Sequence, residues 1–137
     1  MKRLIAVLLL AAAPAFAADY EAELDPTPFD ATNRADVLGS IGQVGASLNG
    51  NTLTVSGKFS NLTSKATGAS VRIGLAKGVP GEQVGTLTVD KAQEGAVSGS
   101  VSLTPAQVAA LDKQALYIRI DSEKAPDGNL QGWLEGK

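Results

Sequence analysis

Apolar residues recur at every second position through most of this chain, the mark of strands with one buried face. Tyr20, Ala22 and Leu24 alternate with Glu21, Glu23 and Asp25. Asp25-Pro26-Thr27-Pro28 ends that run, because proline offers no ladder donor and restricts the residue before it. The stretch to about Asp36 is a loop by composition. Val44, Ala46 and Leu48 then lead through Asn49-Gly50 to Leu53, Val55 and Phe59. Asn-Gly between two alternating runs predicts a tight hairpin, since both residues tolerate positive φ. Asn61 to Gly68 reads as a polar loop, and Val71, Ile73 and Leu75 predict the next strand, followed by the turn cluster Lys77-Gly78-Val79-Pro80-Gly81. Leu87 with Val89, then Val97, Gly99, Val101 and Leu103, predict two more strands around a turn at Glu94-Gly95.

One segment breaks the period. Thr104-Pro105-Ala106-Gln107 is a capping box with proline at the first helical position, and Val108, Ala109 and Leu111 extend it for about two turns. Leu116, Ile118 and Ile120 and then Leu130 and Leu134 predict the last two strands, joined by a turn over Glu123 to Gly128. Short strands, about eight of them, with one short helix predict an all-β domain, an antiparallel β-sandwich or Greek-key barrel.

The beginning of the chain follows a different logic. Met1-Lys2-Arg3 is a basic start, Leu4 to Ala13 is an apolar run, and Ala15-Phe16-Ala17 has the small-x-small pattern of a signal-peptidase site. Residues 1–17 are therefore read as a cleavable signal peptide and residues 18–137 as one β domain, with a cut after Ala18 as the next best site. The apolar run falls short of the roughly 20 residues that span a bilayer, so no membrane span is expected after cleavage. This places the mature protein in a periplasm or outside the cell. The short leader looks bacterial, so the sequon Asn61-Leu62-Thr63 is expected to go unused.

Charge and composition then narrow the chemistry. Twelve basic residues face fourteen acidic ones, and loss of Lys2 and Arg3 leaves ten, a net charge of −4 for the mature domain. Such a surface offers no general attraction for nucleic acid or anionic lipid. The chain has no histidine and no cysteine. Imidazole and thiolate metal sites are excluded, as are the Ser-His-Asp and Cys-His catalytic arrangements. No cofactor and no enzymatic activity are expected, and a hydrolase working through carboxylates would need two acids in one cleft. Calcium needs only oxygen ligands, and Asp121, Glu123, Asp127 and Asn129 share one loop. Ala125 and Pro126 interrupt the spacing of a calcium loop there, so an Asp-Gly turn with solvated acids is the plainer reading.

The last hairpin carries the one constellation with binding chemistry. If Leu116, Ile118, Ile120, Leu130 and Leu134 face the core, Tyr117, Arg119, Asp121, Asn129, Gln131 and Trp133 face the other way. Arg72 joins them if Val71 and Ile73 are core. Trp, Tyr and Arg dominate binding hot spots, so this face is a candidate surface for an extracytoplasmic protein or a polysaccharide. A packing role for Trp133 under a loop or the helix stands beside that reading. Partial exposure of Trp133 would keep the binding reading open, and full burial would end it.

Three segments also carry a family resemblance: Leu103-Thr104-Pro105-Ala106-Gln107-Val108-Ala109-Ala110-Leu111, Leu116-Tyr117-Ile118-Arg119-Ile120, and Pro126-Asp127-Gly128-Asn129-Leu130-Gln131-Gly132-Trp133-Leu134. Together they resemble the chordin-type (CHRD) domain, whose members show an LTPAQVAAL-like helix, an LYVNVHT-like strand and a PGGEIRGQL-like segment. The hairpin from Gly50 to Phe59 fits the same pattern. The family's His-x-His strand falls here on Ser70 to Gly74, its second histidine position is Asp121, and its last-strand Glu and Arg are replaced by Asn129 and Gln131. No metal role of those histidines carries over. The resemblance itself implies little mechanism; with the leader and the face of the last hairpin, the chain is read as an exported, non-enzymatic binding module of the CHRD type, with a structural component of the cell envelope or secreted matrix as the alternative. Mass spectrometry of the exported protein is expected to show a chain beginning at Ala18; a chain retaining Met1 in that fraction would remove the leader.

Overall fold

The structure, a computed structural model, describes residues 17–137. The expected signal peptide lies outside the described residues except for Ala17, which opens the first strand. The strands are β1 (Ala17–Pro26), β2 (Ile41–Asn49), β3 (Thr52–Ser60), β4 (Ala66–Ile73), β5 (Glu82–Val89), β6 (Gly95–Ser102), β7 (Leu116–Ser122), β8 (Leu130–Trp133) and β9 (Glu135–Gly136). A single-turn helix α1 (Arg34–Val37) and a longer α2 (Pro105–Asp112) complete the described elements.

All pairings are antiparallel, in the order β2-β3-β6-β5-β4-β7-β8-β1, and β1 returns to β2, so the sheet closes into an eight-stranded barrel with β9 added on β1. The long step from β3 to β4 passes over β6 and β5, which is the Greek-key connection. The all-β fold expected from the alternation is the fold found. Two strands act as corners. Residues Ala17 to Leu24 of β1 pair with β2, whereas Asp25 and Pro26 pair with β8. In β5, Glu82 to Leu87 lie on β4, whereas Thr88 and Val89 pair with β6. The barrel is thus flattened into two four-stranded layers joined at two thin seams, the geometry of a sandwich whose corner strands switch sheets.

Side-chain alternation fills the interior. On β3, Leu53, Val55 and Phe59 are buried while Thr52, Thr54, Ser56 and Lys58 are exposed. Polar-out and apolar-in is the reverse of a lipid-facing barrel. No helix among the described residues is long and apolar enough to cross a membrane. The β2–β3 hairpin turns one residue later than the Asn-Gly signal suggests. Asn49 pairs with Thr52, the turn residues are Gly50 and Asn51, and only Gly50 has positive φ, at 65°. Glycine at the first central position is the II′ pattern rather than I′.

Each end of the barrel is covered by a different device. At one end α2 lays Leu111 into the core, and Tyr20 on β1 donates a hydrogen bond of 3.1 Å to Asp112. The capping box is made as expected: Thr104 Oγ1 accepts from Gln107 N at 3.2 Å, and Gln107 Oε1 accepts from Thr104 N at 2.9 Å. At the other end the β1–β2 loop buries Val37 and Ser40.

There a buried polar network overturns one expectation. Asn129 does not lie on the outer face; it is fully buried. Its Oδ1 accepts from Ser122 Oγ at 2.7 Å, its Nδ2 donates to Ser40 Oγ at 2.9 Å, and Ser40 Oγ donates to Val37 O at 2.6 Å. Strand alternation stops at Leu130, where β8 begins, so the residue before it is free to turn inward. Two other expectations fail at strand ends. Ala66 to Gly68 belongs to β4 rather than to a loop, and Leu75 is 93% exposed because β4 ends at Ile73, opposite the first residue of β7.

Asn129→Ala is expected to lower stability by about 2 kcal/mol, since it removes two buried hydrogen bonds and leaves the Ser122 hydroxyl proton without its acceptor and Ser40 Oγ without its donor. Urea unfolding of the variant beside the wild type measures it.

Candidate functional site

Strands β4, β7 and β8 lie side by side, and their register stacks the candidate residues in rows. Arg72 faces Tyr117, which faces Trp133; one step along, Arg119 faces Gln131, which faces Asp25 of β1. Six of the seven candidate residues therefore occupy one outward face, the exception being Asn129.

Tyr117 is the anchor of this face rather than part of its surface. Its ring stacks on Trp133 with centroids 4.5 Å apart and planes 26° apart. Its hydroxyl accepts from Gly81 N at 2.9 Å and donates to Gly81 O at 3.2 Å, and Arg72 Nε donates to the same carbonyl at 3.2 Å. The loop between β4 and β5 is thereby clamped over Tyr117, which is buried. Trp133 remains partly exposed, resting on Tyr117 with one side and lining a groove with the other. Its indole N–H is buried and has no protein acceptor among the described residues.

Beside this stack, Arg119 Nε lies 2.8 Å from Asp121 Oδ1 without pointing its hydrogen at it, and Nη2 donates to Oδ2 at 3.4 Å. The pair is held by charge more than by hydrogen-bond geometry. Burial pushes the Asp121 carboxyl above its ordinary value, against the pull of Arg119 and Arg72, and Asp127 adds to the rise. Asp121 is engaged with Arg119 and Asn129 with the serines. Among the described residues no group of three or more carboxylates is placed to hold a metal ion.

Two grooves meet on the face. The first, of about 670 Å³, is bordered by Trp133, Gln131 and Phe29 and by Glu21, Glu23 and Asp25 of β1. The second, of about 440 Å³, is bordered by Tyr117, Arg119, Lys124 and Asp127. Gln131 lines both, so they form one trough along β8. The first groove exists because β1 touches β8 at only two residue pairs and then diverges toward β2.

The acidic wall of that groove is what the sequence reading missed. Its signal was present in the alternation of Glu21, Glu23 and Asp25, but nothing local says that the first strand lies beside the last hairpin. Glu135 of β9 joins this wall and forms an ion pair of 2.8 Å with Lys77. A carboxylate hydrolase needs one acid enclosed in an apolar pocket beside a second that stays ionised. Glu21, Glu23 and Asp25 are all exposed, which gives the row no such division of roles.

A family model described as the CHRD domain matches residues 20–134. The chain belongs to the CHRD domain family. CHRD domains are typically extracellular, non-catalytic modules of the binding type. Comparison with curated proteins gives no match, and neither does comparison with solved structures. In this CHRD domain the family match ends at Leu134, so α2, β7 and β8 fall within it, and so does the lining of the trough apart from Glu135 and Gly136.

Tyr117→Phe keeps the stack and loses the two bonds to Gly81. It is expected to cost about 1 kcal/mol in urea unfolding while leaving the Trp133 emission maximum in place; unchanged stability would show that the clamp holds nothing.

Proposed function

We propose that this CHRD domain is an exported, non-enzymatic interaction module that holds an extracytoplasmic partner on the outer face of β7 and β8. The observation that carries the reading is Trp133. The chain's single tryptophan is partly exposed, backed by a buried Tyr117, and borders the larger of the two grooves on this face. A rigid aromatic anchor of this kind loses little conformational freedom on binding, which is what makes such residues hot spots. Export is supported by the signal-peptide pattern of residues 1–17 and by the typically extracellular setting of the family. The non-enzymatic reading is supported by the family and by the absence of histidine and cysteine from the chain.

The test is affinity capture from the native envelope and secreted fraction with tagged mature protein beside its Trp133→Ala variant, both first shown to be folded by circular dichroism. A partner retained by the wild type and lost by the variant is the expected result. Equal capture by both, or none, would return Trp133 to a packing role and favour a structural component of the envelope or matrix.

A further inference from the structure

We infer that the occupant of the groove beside Trp133 is an extended peptide segment carrying basic residues at alternate positions. The inference rests on the binding role proposed for this face and adds the chemistry of the partner.

The carboxylates are arranged as a row and not as a cluster. Glu21, Glu23 and Asp25 all project from one side of β1, and residues two apart on a strand are spaced by about 7 Å. An extended peptide presents alternate side chains with the same repeat, so three consecutive outward cations would each meet a carboxylate. A single ion has no such match, consistent with the lack of any converging metal set among the described residues. Within the groove the one cation is Lys77, and Glu135 already holds it at 2.8 Å. Among the described residues Glu21, Glu23 and Asp25 make no ion pair.

Trp133 adds a second reason for a cation. One side of its ring is covered by Tyr117 and the ring also borders the groove, where a guanidinium could stack on it and reach a carboxylate at once. Phe29, 44% exposed, supplies an apolar contact on the same groove. The trough also limits the basic stretch. Beyond Gln131 the lining changes to Lys124, Asp127 and an Arg119 already paired with Asp121, so no row of carboxylates continues there to meet a further run of positive charge. An anionic polysaccharide would meet the opposite problem at the carboxylate row.

The experiment uses the mature protein and a capped Ser-Arg-Ser-Arg-Ser-Arg peptide, followed by Trp133 fluorescence and by calorimetry. A Ser-Asn peptide of equal length and a neutral oligosaccharide serve as comparison probes. Binding of the Ser-Arg peptide alone is expected, weakening about tenfold between about 50 and about 300 mM salt. Glu23→Gln with Asp25→Asn should weaken it by about tenfold, whereas Glu82→Gln with Glu123→Gln, which removes equal charge outside the groove, should stay within about twofold. Equal losses in the two double variants would mean diffuse attraction by net charge and overturn the proposal. Saturation of the Trp133 signal by the oligosaccharide but not the peptide would overturn it too. Trp133-dependent capture from the envelope with no response to the Ser-Arg peptide defeats this inference alone; loss of that capture defeats the binding role as well.

Discussion

Gly132 sits directly against the backbone carbonyl of Glu23, with the Leu24 side chain also in contact range, and any Cβ at that position would collide with them. This contact lets β1 come up to β8, and the rest of the molecule depends on it. β1 must satisfy β2 along most of its length and still reach β8 with Asp25 and Pro26. Without that reach the sheet would stay open, β8 would be an edge, and the apolar interior lined by Leu24, Leu130 and Leu134 would meet water along one side. Pro26 suits the end of such a strand, since the next bond across to the β8 side comes from Thr27 N, to Asn129 O at 3.1 Å, and needs no donor from residue 26.

Much of this fold is legible in local patterns. Alternation in Leu53-Val55 and in Leu116-Ile118-Ile120 identifies the buried face because a strand's period is two and only one face meets the core. The capping box at Thr104 identifies α2 because its geometry involves four neighbouring residues and nothing more distant. Where the pattern misleads, a tertiary partner decides. Leu75 continues the alternation of Val71 and Ile73, but the ladder to β7 ends with the Gly74 N–H donated to Ala115 O at 2.8 Å, so the strand has stopped and Leu75 faces water. Asn129 looks outward by count and turns inward because Ser122 across the turn and Ser40 from a distant part of the chain give its amide an acceptor and a donor bond inside.

The candidate site divides in the same way. Tyr117, Arg119, Gln131 and Trp133 share a face by alternation within one hairpin, which sequence alone can reveal. The clamp on Gly81 could not be read, because it depends on how the β4–β5 loop folds back. Nor could the carboxylate wall, which needs the two ends of the chain to meet. The outward acids of β1 look like an ordinary solvated face until barrel closure sets them opposite an aromatic ring.

The two thin seams lie on opposite sides of the barrel, four strands apart in either direction. At the β5–β6 seam, Gly85 accepts the side chain of Val101, so the layers close there on an apolar contact, whereas at the β8–β1 seam they splay into a groove. The molecule is therefore arranged like a clothes-peg, with a filled joint behind and a mouth in front. The width of that mouth is set by the angle between the layers, so the shape of the recognition surface is partly stored in the packing of residues that no ligand touches.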